Sequence, residues 1–265
     1  MYRLKPGDTF KFEQWDPSDK SLFDGNKEAG VEELKQLKAE LYDMQVKLFA
    51  QRQHRLLVIL QGMDTSGKDG TIRHVFGGLD PQGLHIATFG KPSPLELQHD
   101  YLWRIHHQAP KTGQITIFNR SHYEDVLAVR VRNLQPRKVW SKRFQHIVNF
   151  EQMLCDEQTT ILKCFLHIDQ DEQKKRLISR IENPAKHWKL FPEDIADRAL
   201  WPDYVAAYEE AITKTSTTHA PWHIIPANRK WYRNLVVARI MVEALQNLDL
   251  RFPEPHFDPS ELKVE

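Results

Sequence analysis

The sequence predicts an α/β domain: a parallel sheet flanked by helices, a phosphate-binding loop at its centre and a helical lid. Three observations predict it. Leu56 to Leu60 is an all-apolar run, the mark of a strand buried on both faces of a parallel sheet. It passes through Gln61 into Gly62-Met63-Asp64-Thr65-Ser66-Gly67-Lys68-Asp69-Gly70, and a helical segment follows with Ile72, Val75 and Phe76 on one face. Strand, glycine loop, lysine and helix in that order is the layout of a P-loop. Further short strands then alternate with helical stretches along the chain.

Residues 1–27 are polar and turn-rich, with Phe10, Phe12, Trp15 and Phe23 scattered among them, and read as an arm across the domain. Apolar residues recur at Val31, Leu34, Leu37, Leu41, Met44 and Leu48, so 28–53 reads as an amphipathic helix. Residues 84–89 form a second strand, Gly90 to Pro94 break the chain, and 95–107 read as helix. A strand at 114–118 ends in Asn119-Arg120-Ser121-His122-Tyr123-Glu124-Asp125. Residues 137–157 read as a long amphipathic helix, 160–168 as a strand and 171–180 as a helix. The segment 182–200 has little periodicity, as expected of a mobile cover. A helix at 201–214, a turn, a last strand at 222–225 and a closing helix at 229–247 complete the core, and the tail from Phe252 reads as extended. The expected organisation is one domain over 1–265: arm and helix 1–53, core 54–168 and 201–250, lid about 170–200.

The 265 residues are 40% hydrophobic and 28% charged, which suits a soluble domain with a sizeable core. Basic and acidic residues number 37 and 36, so no global basic field points to nucleic acid, and a polyanion must be met by a local patch. Cys155 and Cys164 are too few for a disulfide scaffold and lack metal-site spacing. No run of 18 apolar residues occurs, and the first residues lack an apolar signal region, so a cytoplasmic location with no membrane partner is expected.

Glycines let backbone N–H groups turn in around an anion, and the helix starting near Gly67 adds its unpaired N–H groups and positive dipole end. The loop residues Gly62, Thr65, Ser66, Gly67, Asp69 and Gly70 are therefore candidate phosphate contacts, with Lys68 as the full positive charge. Two features are unusual. Asp69 stands where Ser or Thr normally holds Mg²⁺, and Asp64 lies inside the loop. A bare carboxylate beside phosphate repels it unless a divalent cation sits between, so Asp64 is the candidate Mg²⁺ contact or a group that orients the acceptor phosphate. Lys91 follows a strand end, where open parallel sheets bind ligands, and is a further phosphate candidate. Asn119 takes the strand-end position where a carboxylate is usual, Arg120 has the planar fork to clamp phosphate, and Glu124 and Asp125, one turn on, are candidates to supply carboxylates. His122 reads as structural. Arg176 and Arg180, four apart, share a helix face suited to a lid closing over phosphate. A basic groove is expected from Lys68, Arg73, Arg120, Lys174, Lys175, Arg176 and Arg180. Trp103, Tyr123, Trp188 and Trp201 are candidates for stacking on a base.

The stretches GMDTSGKDG, GKPSPLE, IFNRSHYEDVLAVRV, RLISRIENPAKHWK and TSTTHAPWHIIPANRKW, in that order, resemble the second polyphosphate kinase family. The resemblance spans most of residues 55–240 and looks most like the third class, which accepts nucleoside mono- and diphosphates. It implies a thymidylate-kinase-like P-loop kinase fold with a lid. It also implies Mg²⁺-assisted transfer of a terminal phosphoryl group between inorganic polyphosphate and AMP or ADP, with Mn²⁺ as an alternative ion. By position, Asp64 and Lys68 would be the catalytic pair of the loop, Arg120 a phosphate contact, and Arg176 and Arg180 lid arginines. Asn119 departs from the Asp of other classes. Guanine nucleotides are an additional expected substrate and a homo-oligomer the expected state. The alternative is an ATP-dependent nucleoside monophosphate kinase, against which Asp69 argues; a nucleotide-binding switch without turnover is a more distant one.

Overall fold

Strand β1 (Arg55–Gln61) is the middle of five parallel strands. Its neighbours are β2 (Leu84–Thr88), β3 (Ile115–Asn119), β4 (Thr159–His167) and β5 (Trp222–Pro226), in the order β2-β3-β1-β4-β5. This is the P-loop kinase fold anticipated from the sequence. The computed structural model describes residues 1–190, 192–259 and 262. Phe191 of the expected lid, and residues 260, 261 and 263–265 of the expected domain, lie outside the described residues. Leu56 to Leu60 are fully buried, which is why this strand is apolar without alternation.

Helix α1 (Lys27–Gln51) precedes β1, and α2 (Lys68–Thr71, continued by a π turn at Ile72–Phe76), α3 (Trp103–His106), α4 (Ala128–Val131) and α5 (Arg137–Asp156) fall between β1 and β4. After β4 come α6 (Gln170–Ile181), α7 (Pro192–Ala199), α8 (Trp201–Thr215) and, after β5, α9 (Lys230–Gln246). Helices α1 and α9 pack on each other, and α9 rests on β4 and β5; α5 and α8 form the other layer, with α5 against β4. The arm runs antiparallel to β5: Leu4 N–H donates to Trp222 O and Ile224 N–H to Tyr2 O, covering the sheet edge. Phe10 is fully buried. No helix among the described residues is long and apolar enough to cross a membrane.

One expectation fails at 95–107. Instead of a helix there is a 3-10 turn at Glu96–Gln98 and the single turn α3. The Asp100 side chain accepts the Leu102 N–H at 2.9 Å, and such local side-chain bonds compete with helical ones. The segment 182–200, read as irregular, is instead a 3-10 turn at Pro184–Lys189 and then α7.

The register sets up the site. Leu60 pairs with Asn119, and Arg120 N–H donates to Leu60 O at 3.2 Å, so the ends of β1 and β3 deliver the loop and Arg120 side by side. The turn after β3 is held from beneath by a buried polar cluster. Lys163 on β4 donates to Glu151 Oε2 (2.6 Å), Tyr123 Oη (3.0 Å) and Thr215 O (2.6 Å). Tyr123 Oη donates to Glu151 Oε1 at 2.8 Å, and His122 Nε2 lies 3.2 Å from the same oxygen. All four side chains are 0% exposed, so His122 is a core residue, and Tyr123, once a candidate for base stacking, is too.

Removing one partner of such a pair leaves the other charge buried alone. Lys163→Met is expected to lose roughly 3–5 kcal/mol of unfolding free energy in urea, and Lys163→Met with Glu151→Leu to recover most of it. A single variant as stable as the parent would show that the cluster does not hold the turn.

Candidate active site

The chain leaves β1 into the loop and enters α2 through Gly67, whose φ of 104° suits glycine alone. The N–H groups of residues 67–70 are the first-turn donors with no intrahelical acceptor. The first helical bond is Thr71 N–H to Gly67 O, at 2.9 Å. Thr65 and Arg120 both hold left-handed backbone, φ 64° and 63°, which for such residues costs roughly 1–3 kcal/mol each and clusters at functional sites. Among the described residues the hydroxyls of Thr65, Ser66 and Thr71 are buried without a protein partner, and of the three only Thr65 lines the cleft, so the expected Ser66 contact lies behind the loop. Lys68 is 8% exposed and donates to Gly62 O (2.8 Å). Burial first, and the charge of Arg120 second, push its pKa down to about 8, against the pull of Asp64.

Asp64 faces Arg120. Arg120 Nη2 donates to Asp64 Oδ1 at 2.7 Å, and Arg120 Nη1 lies 3.5 Å from Glu124 Oε2. Burial pushes the Asp64 carboxyl up, but Arg120 and Lys68 together outweigh it and hold the group below the ordinary carboxylate range. Glu124 above all, then Asp64, raises the pKa of Arg120. Asp64 and Arg120 line two cavities at once. A cleft of about 560 Å³ is shared with Thr65, Gly67, Lys68, Asp69, Gly70 and Asn119, and with Arg176, Arg180, Lys186, Trp188 and Lys189 from the lid. The second is a cavity of about 20 Å³ that Glu124, Gln173, Trp201, Tyr204 and Tyr208 help to line.

The lid is tied to the loop through Asp69. Lys189 Nζ lies 2.9 Å from Asp69 Oδ2, and Asn119 Nδ2 donates to Asp69 Oδ1 at 2.9 Å. Burial raises the Asp69 pKa, but these two hydrogen bonds bring it below the ordinary value. Arg180 Nη1 donates to Lys189 O at 3.2 Å, and Trp188, 69% exposed, stands on the cleft wall.

Several expected residues sit elsewhere. Arg73 is exposed and off the cleft, because five residues past Lys68 on a helix is roughly 140° round the axis. Lys91 is exposed beyond β2, where Arg104 Nη1 anchors Gly90 O at 2.9 Å and turns the chain away. Lys174 and Lys175 lie on the outer face of α6. Arg176 does border the cleft, but its guanidinium is already engaged: Nη1 donates to Thr65 O (2.9 Å) and Ser66 O (2.8 Å), Nη2 to Ala227 O (2.6 Å), and Nε to Glu172 Oε1 (2.7 Å). It braces the loop. Asp125 is bonded by Arg143 at 2.9 Å and lines neither cavity. Trp103 stacks on His99 instead of facing the site. Lys186, Lys189, Gln173 and Tyr208 were not singled out; the only signal for the two lysines was their place in an otherwise aperiodic basic segment.

A family model described as "Polyphosphate kinase 2 (PPK2)" matches residues 24–253. An AMP/ADP-polyphosphate phosphotransferase of Meiothermus ruber is 52% identical over 264 residues, covering 100% of this chain and 99% of that relative. An ADP-polyphosphate phosphotransferase of Rhodopseudomonas palustris is 40% identical, covering 96% and 92%. The crystal structure of polyphosphate kinase 2 from Arthrobacter aurescens TC1 superposes with a TM-score of 0.94 at 43% identity, covering 98% of this chain and 92% of that one.

Lys68 binds an oxyanion best when protonated, and its substrate-free value lies near 8. Affinity for inorganic tripolyphosphate, followed by calorimetry, is therefore expected to decline above about pH 8, and Lys68→Arg to lack that decline. Identical profiles in the two proteins would contradict the placement of Lys68 charge in the anion site.

Proposed function

The chain belongs to the polyphosphate kinase 2 family, and from that premise we propose how its cleft carries out the reaction. It is a polyphosphate-dependent phosphotransferase acting on AMP and ADP. The relatives named above are all named for polyphosphate, so the ATP-dependent alternative is not favoured.

The observation that carries the mechanistic reading is the Asp64–Arg120 pair, which lines two cavities at once. In-line transfer places donor and acceptor oxygens on opposite sides of one phosphorus. The loop N–H groups and Lys68 hold phosphate oxygens on the wide side, with Arg180, Lys186 and Lys189 facing them from the lid. Arg120, which lines both spaces, is positioned to exchange Asp64 for the oxygens of the transferring group, whose spread charge it stabilises. Because the acceptor oxygen is already anionic, little general-base help is required, in keeping with His122 lying in the core. The narrow cavity, walled by Trp201, Tyr204 and Tyr208, requires lid movement before a second substrate enters.

Mg²⁺ fits this site: Asp64 is an ionised oxygen donor facing the cleft, with Glu124 nearby, and Mg²⁺ takes one or two carboxylates together with waters and phosphate oxygens. When bound, it neutralises phosphate charge. We extend the reading to Mn²⁺ as an alternative ion, guanine nucleotides as further acceptors, a homo-oligomer and a cytoplasmic location, all resting on the family resemblance and the balanced composition.

A matrix of donors, polyphosphate or ATP, against AMP, ADP, GMP and GDP tests the reading. Polyphosphate alone is expected to convert AMP to ADP and ADP to ATP; product from ATP but none from polyphosphate would overturn it. Arg120→Ala is expected to lower kcat by roughly 10³ or more while Tm stays near that of the parent. An effect confined to KM would instead make Arg120 a binding group only.

A further inference from the structure

Helix α9 brings Arg233 beneath the loop, 2% exposed. Its Nε and Nη2 donate to Asn234 Oδ1 at 3.1 and 2.8 Å, and its Nη1 to Ser66 O at 3.2 Å. Among the described residues it has no carboxylate partner, and the charge it faces is the like one of Arg176. Burial first, and Arg176 second, push its pKa down to about 9, so it stays protonated at neutral pH. A buried guanidinium without a counter-charge is costly, and folds keep such groups where something else depends on them.

The loop is shaped around this group. A Cβ on Gly67 would lie 1.9 Å from Arg233 Nη1, and one on Gly70 would lie 3.2 Å from Nη2. Gly67 thus answers two demands, the left-handed turn and the approach of a guanidinium to the loop's back. Arg176 and Arg233 both donate to Ser66 O, and Arg176 to Thr65 O as well. With these carbonyls drawn backward, the N–H groups of residues 67–70 are left to the cleft.

We propose that Arg233 is a positioning residue for the anion site, acting through the loop: it fixes the Ser66 peptide, and the counter-charge it lacks is supplied by the phosphate that the loop holds on its far side. The inference rests on the polyphosphate-transfer reading. It separates two quantities that a purely structural arginine would move together. Stability without ligand depends little on Arg233, because relief of an unpaired buried charge offsets the bonds lost at Asn234 Oδ1 and Ser66 O when an apolar chain of similar length replaces it. The response to phosphate does depend on it.

The test measures Tm without ligand, the Tm rise caused by inorganic tripolyphosphate, and KM and kcat for polyphosphate, in the parent, Arg233→Met and Arg233→Lys. For Arg233→Met the expected result is a ligand-free Tm equal to or above that of the parent, a tripolyphosphate-induced rise cut by at least about half, and a KM raised about tenfold. Arg233→Lys, which keeps the charge, is expected to restore most of that rise while kcat stays depressed, since the fork to Ser66 O is lost. A lower ligand-free Tm in Arg233→Met with a tripolyphosphate response and KM equal to those of the parent overturns the inference alone. A parent with no response to tripolyphosphate overturns the transfer reading, and this inference with it. Should Arg233→Met fail to fold, the near-independence of ligand-free stability from Arg233 is contradicted and the inference is overturned.

Discussion

The ion pair between Asp64 and Arg120 is the constraint on which the site depends. A carboxylate inside a phosphate cradle is an electrostatic contradiction unless a cation answers it. Arg120 does so at 2.7 Å, with Lys68 adding to the field that keeps Asp64 ionised. The contact exists because β1 and β3 are adjacent and parallel, with Leu60 opposite Asn119, so that two chain reversals end at one point. The left-handed backbone at Arg120 aims the side chain inward, a local cost borne by the buried Lys163–Glu151–Tyr123 cluster that anchors the turn after it. The same pair lines both the wide cleft and the small cavity.

Around that pair the charges have exchanged their customary places. Position 69, where a hydroxyl is usual, carries the carboxylate, and position 119, where a carboxylate is usual, carries an amide that donates to it. One negative charge is kept, shifted from the strand end to the start of α2, and Lys189 of the lid closes on it. The lid therefore touches the loop through a salt bridge that an incoming polyanion competes for directly. A half-exposed pair of this kind is weak.

Much of this was legible in the chain because it is written locally. The loop from Gly62 to Gly70 needs contiguous backbone geometry, so its spacing is visible, and the five strands are visible as short apolar runs. Asn119 and Arg120 were readable as site residues because a neighbouring parallel strand must end there. What was hidden depends on distant contacts. The spacing of Arg176 and Arg180 put them on one face, and both border the cleft, but it could not say that Arg176 would also brace the loop backbone. Arg233 looked like an ordinary helix residue; the overlooked signal is that Arg233 and Asn234 interrupt an apolar stretch from Trp231 to Ala238, all of it buried except Trp231. The failed helix at 95–107 has the opposite cause, a regular apolar spacing overruled by the side-chain bond of Asp100.

The most direct measurement is a crystal structure of the protein with polyphosphate and a nucleotide bound. The account predicts that Arg120 has left Asp64 and bonds the phosphate at the boundary of the two cavities, with Lys68 turned from Gly62 O toward the same oxygens. A bound phosphate chain lying beside an Asp64–Arg120 pair still closed at its present 2.7 Å, with Lys68 still on Gly62 O, would contradict it.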